Sequence, residues 1–237
     1  MREIVGAVRD LLIPATCVVC GRRLLKNERH ICLPCLADMP FTYFRFGRQN
    51  PMADAFNALI QKGLPEGMYE PYGGACALFY YEGGYSHITQ ALKYKGNIPL
   101  GRYFASLAVE KSFAGGRDFD AIVPVPLHFY RRFVRGFNQA EVIACEIGRG
   151  LGIPVWKNFL ARRRSTKTQT VLSAEGRIEN VSGAFAVKSS SPESLHILLV
   201  DDVFTTGATL YACRQAIKAS FPSCSISVFT LAYARHA

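Results

Sequence analysis

The chain has 237 residues, 49% apolar and 19% charged, the make-up of a soluble globular protein with enough material for one large domain or a domain with an appendage. No run approaches the ~18 uninterrupted apolar residues of a membrane span, and Glu3, Arg9 and Asp10 fall where a signal peptide would be apolar, so a cytosolic protein is expected. A net charge of +10 is more than small phosphorylated substrates require, and it implies a larger anionic partner.

Residues 1–13 put Ile4, Val5, Val8, Leu11 and Leu12 near one face of a helix that Pro14 ends. The opposite face mixes Arg and Asp, which suits packing on the protein itself better than a membrane-surface anchor. Next come Cys17-x2-Cys20 and Cys32-x2-Cys35, with eleven residues between the pairs. Each pair can wrap two thiolates onto one tetrahedral ion, and Gly21 lets the first knuckle turn, so a structural Zn2+ held by Cys17, Cys20, Cys32 and Cys35 is expected. Disulfides are the competing reading, disfavoured in a reducing compartment. Cys76, Cys145, Cys213 and Cys224 lack paired spacing and read as core residues. The organisation is thus an N-terminal helix and zinc knuckle over 1–40, a linker or cover segment over 41–74 with a short helix around 53–62, and a larger domain over 75–237.

That domain opens with a strand at Ala75 and a turn at Gly83-Gly84. Helices follow from Ser86 and over Leu100–Lys111, then a buried strand over Asp120–Pro126, a helix over Phe137–Gly150 and a strand over Ile153–Leu160. The closing pieces are Gly183–Val187, Leu195–Val200, a helix over Ala208–Ser220 and a strand over Ser225–Ala232. Strand, helix and strand in this rhythm predict an α/β fold with a parallel sheet.

The most informative stretch is ILLVDDVFTTGATL at 197–210. Its apolar lead suits a buried parallel strand that delivers the next residues to a ligand crevice. Gly207 permits close backbone approach, Thr205, Thr206 and Thr209 supply hydroxyls, and the helix starting near Ala208 turns its N–H groups toward an anion. Asp201 and Asp202 repel phosphate, so they must serve hydroxyls, a divalent cation, or both. The combination asks for a phosphorylated sugar.

VDDVFTTGAT resembles the signature by which type I phosphoribosyltransferases bind 5-phosphoribosyl-1-pyrophosphate (PRPP). The order of zinc knuckle, VPVPLHFYRRFVRGFNQAEVIA at 123–144 and this signature is similar to that of the ComF family of competence-associated proteins. ALKYKGN at 91–97 and RRRSTKTQTVLSAEGRIENVSGAF at 162–185 add to the likeness. The resemblance implies a type I phosphoribosyltransferase-like sheet flanked by helices, in a cytosolic or membrane-peripheral protein that serves the entry of single-stranded DNA during natural transformation.

It also implies site roles. Asp201 and Asp202 would hold the ribose hydroxyls with Mg2+, and Val203, Phe204, Thr205, Thr206, Gly207, Ala208 and Thr209 would enclose the 5-phosphate. Pro126 and Leu127 fall in the pyrophosphate loop, which leads to Arg131, Arg132 and Arg135. These arginines suit bidentate phosphate contacts or, equally, a solvated basic surface. The polar segment Arg162–Asn180 is read as a lid that excludes water, with Lys167 and Arg177 entering the site. No general base stands out: His128 reads as structural, and His30 lies inside the zinc knuckle, where it could substitute for a ligand though four cysteines make that unnecessary.

FRFGR at 44–48 and FYRRFVRGF at 129–137 interleave aromatic and basic residues, a pattern that fits stacking of single strands or packed rings beside snorkelling arginines. Arg131, Arg132, Arg135, Arg162 and Arg163 are the nucleic-acid candidates. Two functions stay open: a phosphoribosyltransferase acting on a nitrogenous acceptor, or a PRPP-binding adaptor that passes single-stranded DNA onward at the inner membrane face.

Overall fold

The structure is a computed structural model, and it describes residues 15–68, 70–71, 73–113, 118–162, 183–188 and 195–235. The expected N-terminal helix, Arg163, Lys167, Arg177 and the rest of the expected lid beyond Arg162 lie outside the described residues.

In chain order the helices are α1 (Leu33–Ala37), α2 (Pro51–Lys62), α3 (Ser86–Lys95), α4 (Ile98–Ser112), α5 (Phe129–Arg135), α6 (Gln139–Leu151) and α7 (Ala208–Ser220). The strands are β1 (Ala75–Tyr80), β2 (Ala121–Pro124), β3 (Leu160–Arg162), β4 (Phe185–Val187), β5 (His196–Phe204) and β6 (Ser225–Tyr233). The main sheet runs β1-β6-β5-β2, and every pairing in it is parallel. The fold is therefore α/β, as the strand and helix rhythm predicts.

Burial explains the sheet's composition. Ile197–Val200 and Val228–Ala232 are buried throughout, as strands covered on both faces must be. The helices form two groups, α3, α4 and α6 packing together and α2 packing with α7. Local caps fix where helices start. Asn50 Oδ1 accepts from Ala53 N–H (2.9 Å) while its Nδ2 donates to Ala75 O (2.9 Å), tying α2 to β1. Asn138 does the same for α6, accepting from Ala140 N–H (3.1 Å) and donating to Val125 O (3.0 Å) beyond β2. Pro124 is tolerated because β2 lies at a sheet edge.

Two elements differ from the sequence reading. The strand expected over Ile153–Leu160 is a single parallel bridge, Val155 beside Ile122. The chain then turns at Lys157-Asn158, and Leu160–Arg162 pairs antiparallel with Phe185–Val187 in a separate two-stranded sheet. The stretch read as a loop leading to arginines contains α5, started by His128 Nδ1 accepting from Tyr130 N–H (3.3 Å) and ended by left-handed Gly136. The segment between knuckle and sheet is well packed. Phe44 and Phe46 are buried, and Phe46 meets the rings of Phe113 and Phe119 at 5.4 Å.

Candidate phosphate cradle and four-cysteine centre

The strand β5 runs two residues past the acid pair, so Asp201 and Asp202 stand at its carboxyl end on opposite sides of the pleat. Asp202 is buried and Asp201 half-buried. Asp201 Oδ1 accepts from Asp202 N–H (2.9 Å). Desolvation first, then the like charge of Asp202, pushes the Asp201 carboxyl up to about 8. Asp202 Oδ2 meets Lys93 Nζ at 2.8 Å. Lys93 lies in the last turn of α3, in the ALKYKGN segment, and sequence reasoning misses its role, because a lysine in the last turn of a helix ordinarily signals only the helix dipole.

After β5 the chain turns over the ring of Phe204, which is wedged against Phe56 and Tyr233. Gly207 has φ +76°, and a Cβ there would lie 2.6 Å from the Phe204 ring and 3.0 Å from Leu59. Only glycine lets the backbone pass so close. Gly207 is also the N-cap of α7, and no side chain caps that terminus. Thr206 Oγ1 lies 3.5 Å from Ala208 N–H, at the limit of a hydrogen bond. Thr205 is exposed, and Thr206 and Thr209 are half-buried. The turn thus combines an uncapped helix N-terminus with hydroxyls, a phosphate-binding arrangement.

The other candidates arrive by separate routes. Val125 N–H donates to Val200 O (2.9 Å), so Pro126 and Leu127 leave the sheet one register step from Asp201. Arg162, lying over Phe185 at 5.3 Å, feels the charges of both Arg131 and Asp201. The fold brings Arg131, Arg162 and the acid pair into one neighbourhood. Arg135 turns aside, donating to Gln139 Oε1 (3.2 Å) and lying over the Tyr94 ring at 5.2 Å, while Arg132 faces Glu141 at 3.8 Å. Carboxylate oxygens beside a phosphate cradle suit a hard cation, so the acid pair fits Mg2+.

The four cysteines of the knuckle converge, with all four Sγ atoms within 4.8 Å of one another. Bonds of about 2.3 Å to a tetrahedral zinc separate sulfurs by about 3.8 Å, and Cys20 Sγ and Cys32 Sγ are 3.7 Å apart. The donor set fits structural Zn2+. The backbone N–H of Cys35 brings the Cys32 thiol down to about 6, while burial and the neighbouring thiols push Cys35 up, so the fully deprotonated cluster needs a bound cation. Between the pairs, buried Glu28 accepts from Leu25 N–H and Leu33 N–H (2.8 Å each) and from Arg22 Nη2 (2.6 Å). That carboxylate organises the loop, which no spacing rule announces. His30 is half-buried against Tyr103 (5.7 Å) and is not among the clustered ligands.

The two aromatic-basic segments resolve in opposite ways. Phe44 and Phe46 of FRFGR are buried, which removes them as stacking platforms, whereas Phe129, Tyr130 and Phe133 stand exposed on α5.

Comparison with known proteins bears out the resemblance to ComF proteins: the chain's homologues are competence proteins and DNA utilization proteins. Competence protein F of Haemophilus influenzae is 43% identical over 101 residues, 42% of this chain and 44% of that protein. DNA utilization protein YhgH of Salmonella typhi is 28% identical over 223 residues, 87% of this chain and 92% of that protein. Competence protein ComFC of Bacillus subtilis is 34% identical over 111 residues, 46% and 43% of the two chains. The chain therefore spans under half the length of the first and third of these relatives. No family model matches it. Its structural neighbours are phosphoribosyltransferases, among them adenine phosphoribosyltransferase of Leishmania tarentolae, with 12% identity, a TM-score of 0.36 and coverage of 89% of this chain and 90% of that one. Another neighbour is a Neisseria gonorrhoeae protein crystallised with ppGpp, with 17% identity, a TM-score of 0.35 and coverage of 59% and 70%.

Proposed function

We propose that the turn after β5 binds PRPP with Mg2+ and that the chain supports the uptake of single-stranded DNA in natural transformation, working at the cytosolic face of the membrane. The observation that carries the PRPP reading is the acid pair placed directly before a glycine-closed, uncapped helix N-terminus. In this reading Asp201 and Asp202 hold the ribose hydroxyls, residues 203–209 enclose the 5-phosphate, and Pro126, Leu127, Arg131 and, once it leaves Gln139 and Tyr94, Arg135 meet the pyrophosphate. Lys167 and Arg177, outside the described residues, are the further candidates of this reading. Bound Mg2+ would offset the pyrophosphate charge, and Asp201 and Asp202 are the residues to hold it. Arginines near the acid pair suit charge that develops on a leaving pyrophosphate. The DNA reading rests on the names of the relatives and on the chain's net charge of +10. No helix among the described residues is long and apolar enough to cross a membrane.

The same site serves either of two forms, a transferase or a PRPP-binding adaptor. Pyrophosphate release separates the two. Purified protein incubated with Mg2+, PRPP and a panel of bases and oligonucleotides releases pyrophosphate if it is a transferase, and stays at background if it is a binding platform.

A further inference from the structure

The helix α5 buries none of its side chains against the described residues, and it displays Phe129, Tyr130 and Phe133 with 78%, 66% and 79% of their surfaces exposed. Rings held in water beside three arginines, on a helix fixed at both ends by caps, need a partner with flat apolar faces and negative charge.

A cleft lies on each side of this helix. The smaller, about 320 Å³, is lined by Lys93, Tyr94, Tyr130, Arg131, Arg135 and Phe137 and so borders the acid pair through Lys93. The larger, about 890 Å³, runs between the knuckle, α4 and α6. Its lining includes five cations, Arg29, Arg102, Arg132, Arg149 and Lys157, against two carboxylates, Glu141 and Glu146. Both carboxylates are already engaged, Glu141 with Lys157 (3.3 Å) and Arg132 (3.8 Å), and Glu146 with Arg149. Phe137 lines both clefts, at the end of α5. Tyr103 and His30 place a pair of tilted rings in the wall of the larger one.

We propose that these two clefts and α5 form one track for single-stranded nucleic acid. Its phosphates pass Arg102, Arg149 and Lys157, its bases stack on Tyr130 and Phe133, and its leading base enters the cleft of Tyr94 beside the acid pair. The inference rests on the reading that the chain handles single strands, and it adds where the strand lies. A single strand is the occupant because it alone offers both a polyanionic backbone to a concave cationic wall and unstacked π-faces to exposed rings. A flat anionic bilayer cannot follow the concave part. The track also gives the knuckle a second task, since Arg29 and His30 belong to its wall.

Binding of a fluorescent oligothymidylate, read by anisotropy across a salt series, tests this with the full chain. The double substitution Arg102→Glu/Arg149→Glu, remote from the cradle, should weaken binding at least tenfold at low salt and flatten the slope of log affinity against log salt by more than one. Tyr130→Ala/Phe133→Ala should weaken binding about fivefold or more with the slope unchanged. Both pairs are exposed, so both variants should fold, with only the Arg149–Glu146 surface pair lost in the charge variant, and PRPP titration of Arg102→Glu/Arg149→Glu should be unaltered. Parent protein that binds no oligonucleotide overturns the single-strand reading itself. Parent that binds while both variants bind equally well overturns the track alone. Loss of anionic-vesicle binding by Tyr130→Ala/Phe133→Ala, with oligonucleotide binding intact, would make α5 a membrane contact and also overturn it.

Discussion

Lys93 Nζ lies 2.8 Å from Asp202 Oδ2, joining the last turn of α3 to the buried acid at the end of β5. The site keeps the lysine charged: desolvation is the largest single influence and lowers its pKa, but the charge and hydrogen bond of Asp202 together with the charge of Asp201 leave it raised. It also means that any cation or diol engaging Asp202 must share it with Lys93. Asp202→Asn strands a largely covered ammonium, which should cost about 2 kcal/mol and lower Tm; breaking buried pairs costs more, but Lys93 keeps some solvent contact. Lys93→Gln in the Asp202→Asn background should recover most of that loss. A double variant no more stable than Asp202→Asn would mean the pair is not coupled.

Asp201 should behave oppositely. Its folded pKa of about 8 is above the unfolded value of 3.8, so the native state holds the extra proton between those limits and stability falls as pH rises through that window. Asp201→Asn removes the penalty. Without added Mg2+ or PRPP, its Tm should match the parent near pH 4 and exceed it by at least roughly 2 °C at pH 8. Equal melting temperatures across that range would show that Asp201 is not raised.

Gly207→Ala should be severe for so small a change. A positive φ and a Cβ within 2.6 Å of the Phe204 ring together cost about 1 to 3 kcal/mol, and the displaced turn should lose its phosphate affinity. Retained PRPP binding in a folded Gly207→Ala protein would place the phosphate elsewhere.

The acid pair, the glycine turn and the bounds of α7 were legible because each rests on local chemistry: apolar lead, charges, hydroxyls, then helical periodicity. The cysteine cluster was legible for the same reason, as C-x-x-C spacing sets ligand geometry within four residues. What escaped depends on distant partners. Nothing near Lys93 in the sequence points to Asp202, 109 positions on, and Glu28 shows its role only when Leu25 and Leu33 fold around it. Phe44 and Phe46 look like Phe129 and Phe133 on paper; burial alone separates them. The strand expected after Gly152 failed because apolar composition could not show the turn at Lys157-Asn158 that carries the chain into a second sheet.

The knuckle should hold one zinc per chain. Cys17→Ser should lower the zinc content measured by atomic absorption and expose the knuckle to proteolysis, because metal binding and folding are coupled in so small a unit. Cys145→Ser should leave zinc unchanged. Full stoichiometry in Cys17→Ser would remove that residue from the ligand set.

The central claim, that the turn after β5 grips PRPP beside the acid pair, is tested most directly by calorimetric titration of PRPP with Mg2+ into the parent and Asp201→Asn proteins. One saturable site in the parent, lost in the variant while its circular dichroism and zinc content stay unchanged, is the expected result. A parent that takes up no PRPP, or a variant that binds it with undiminished affinity, would contradict the claim.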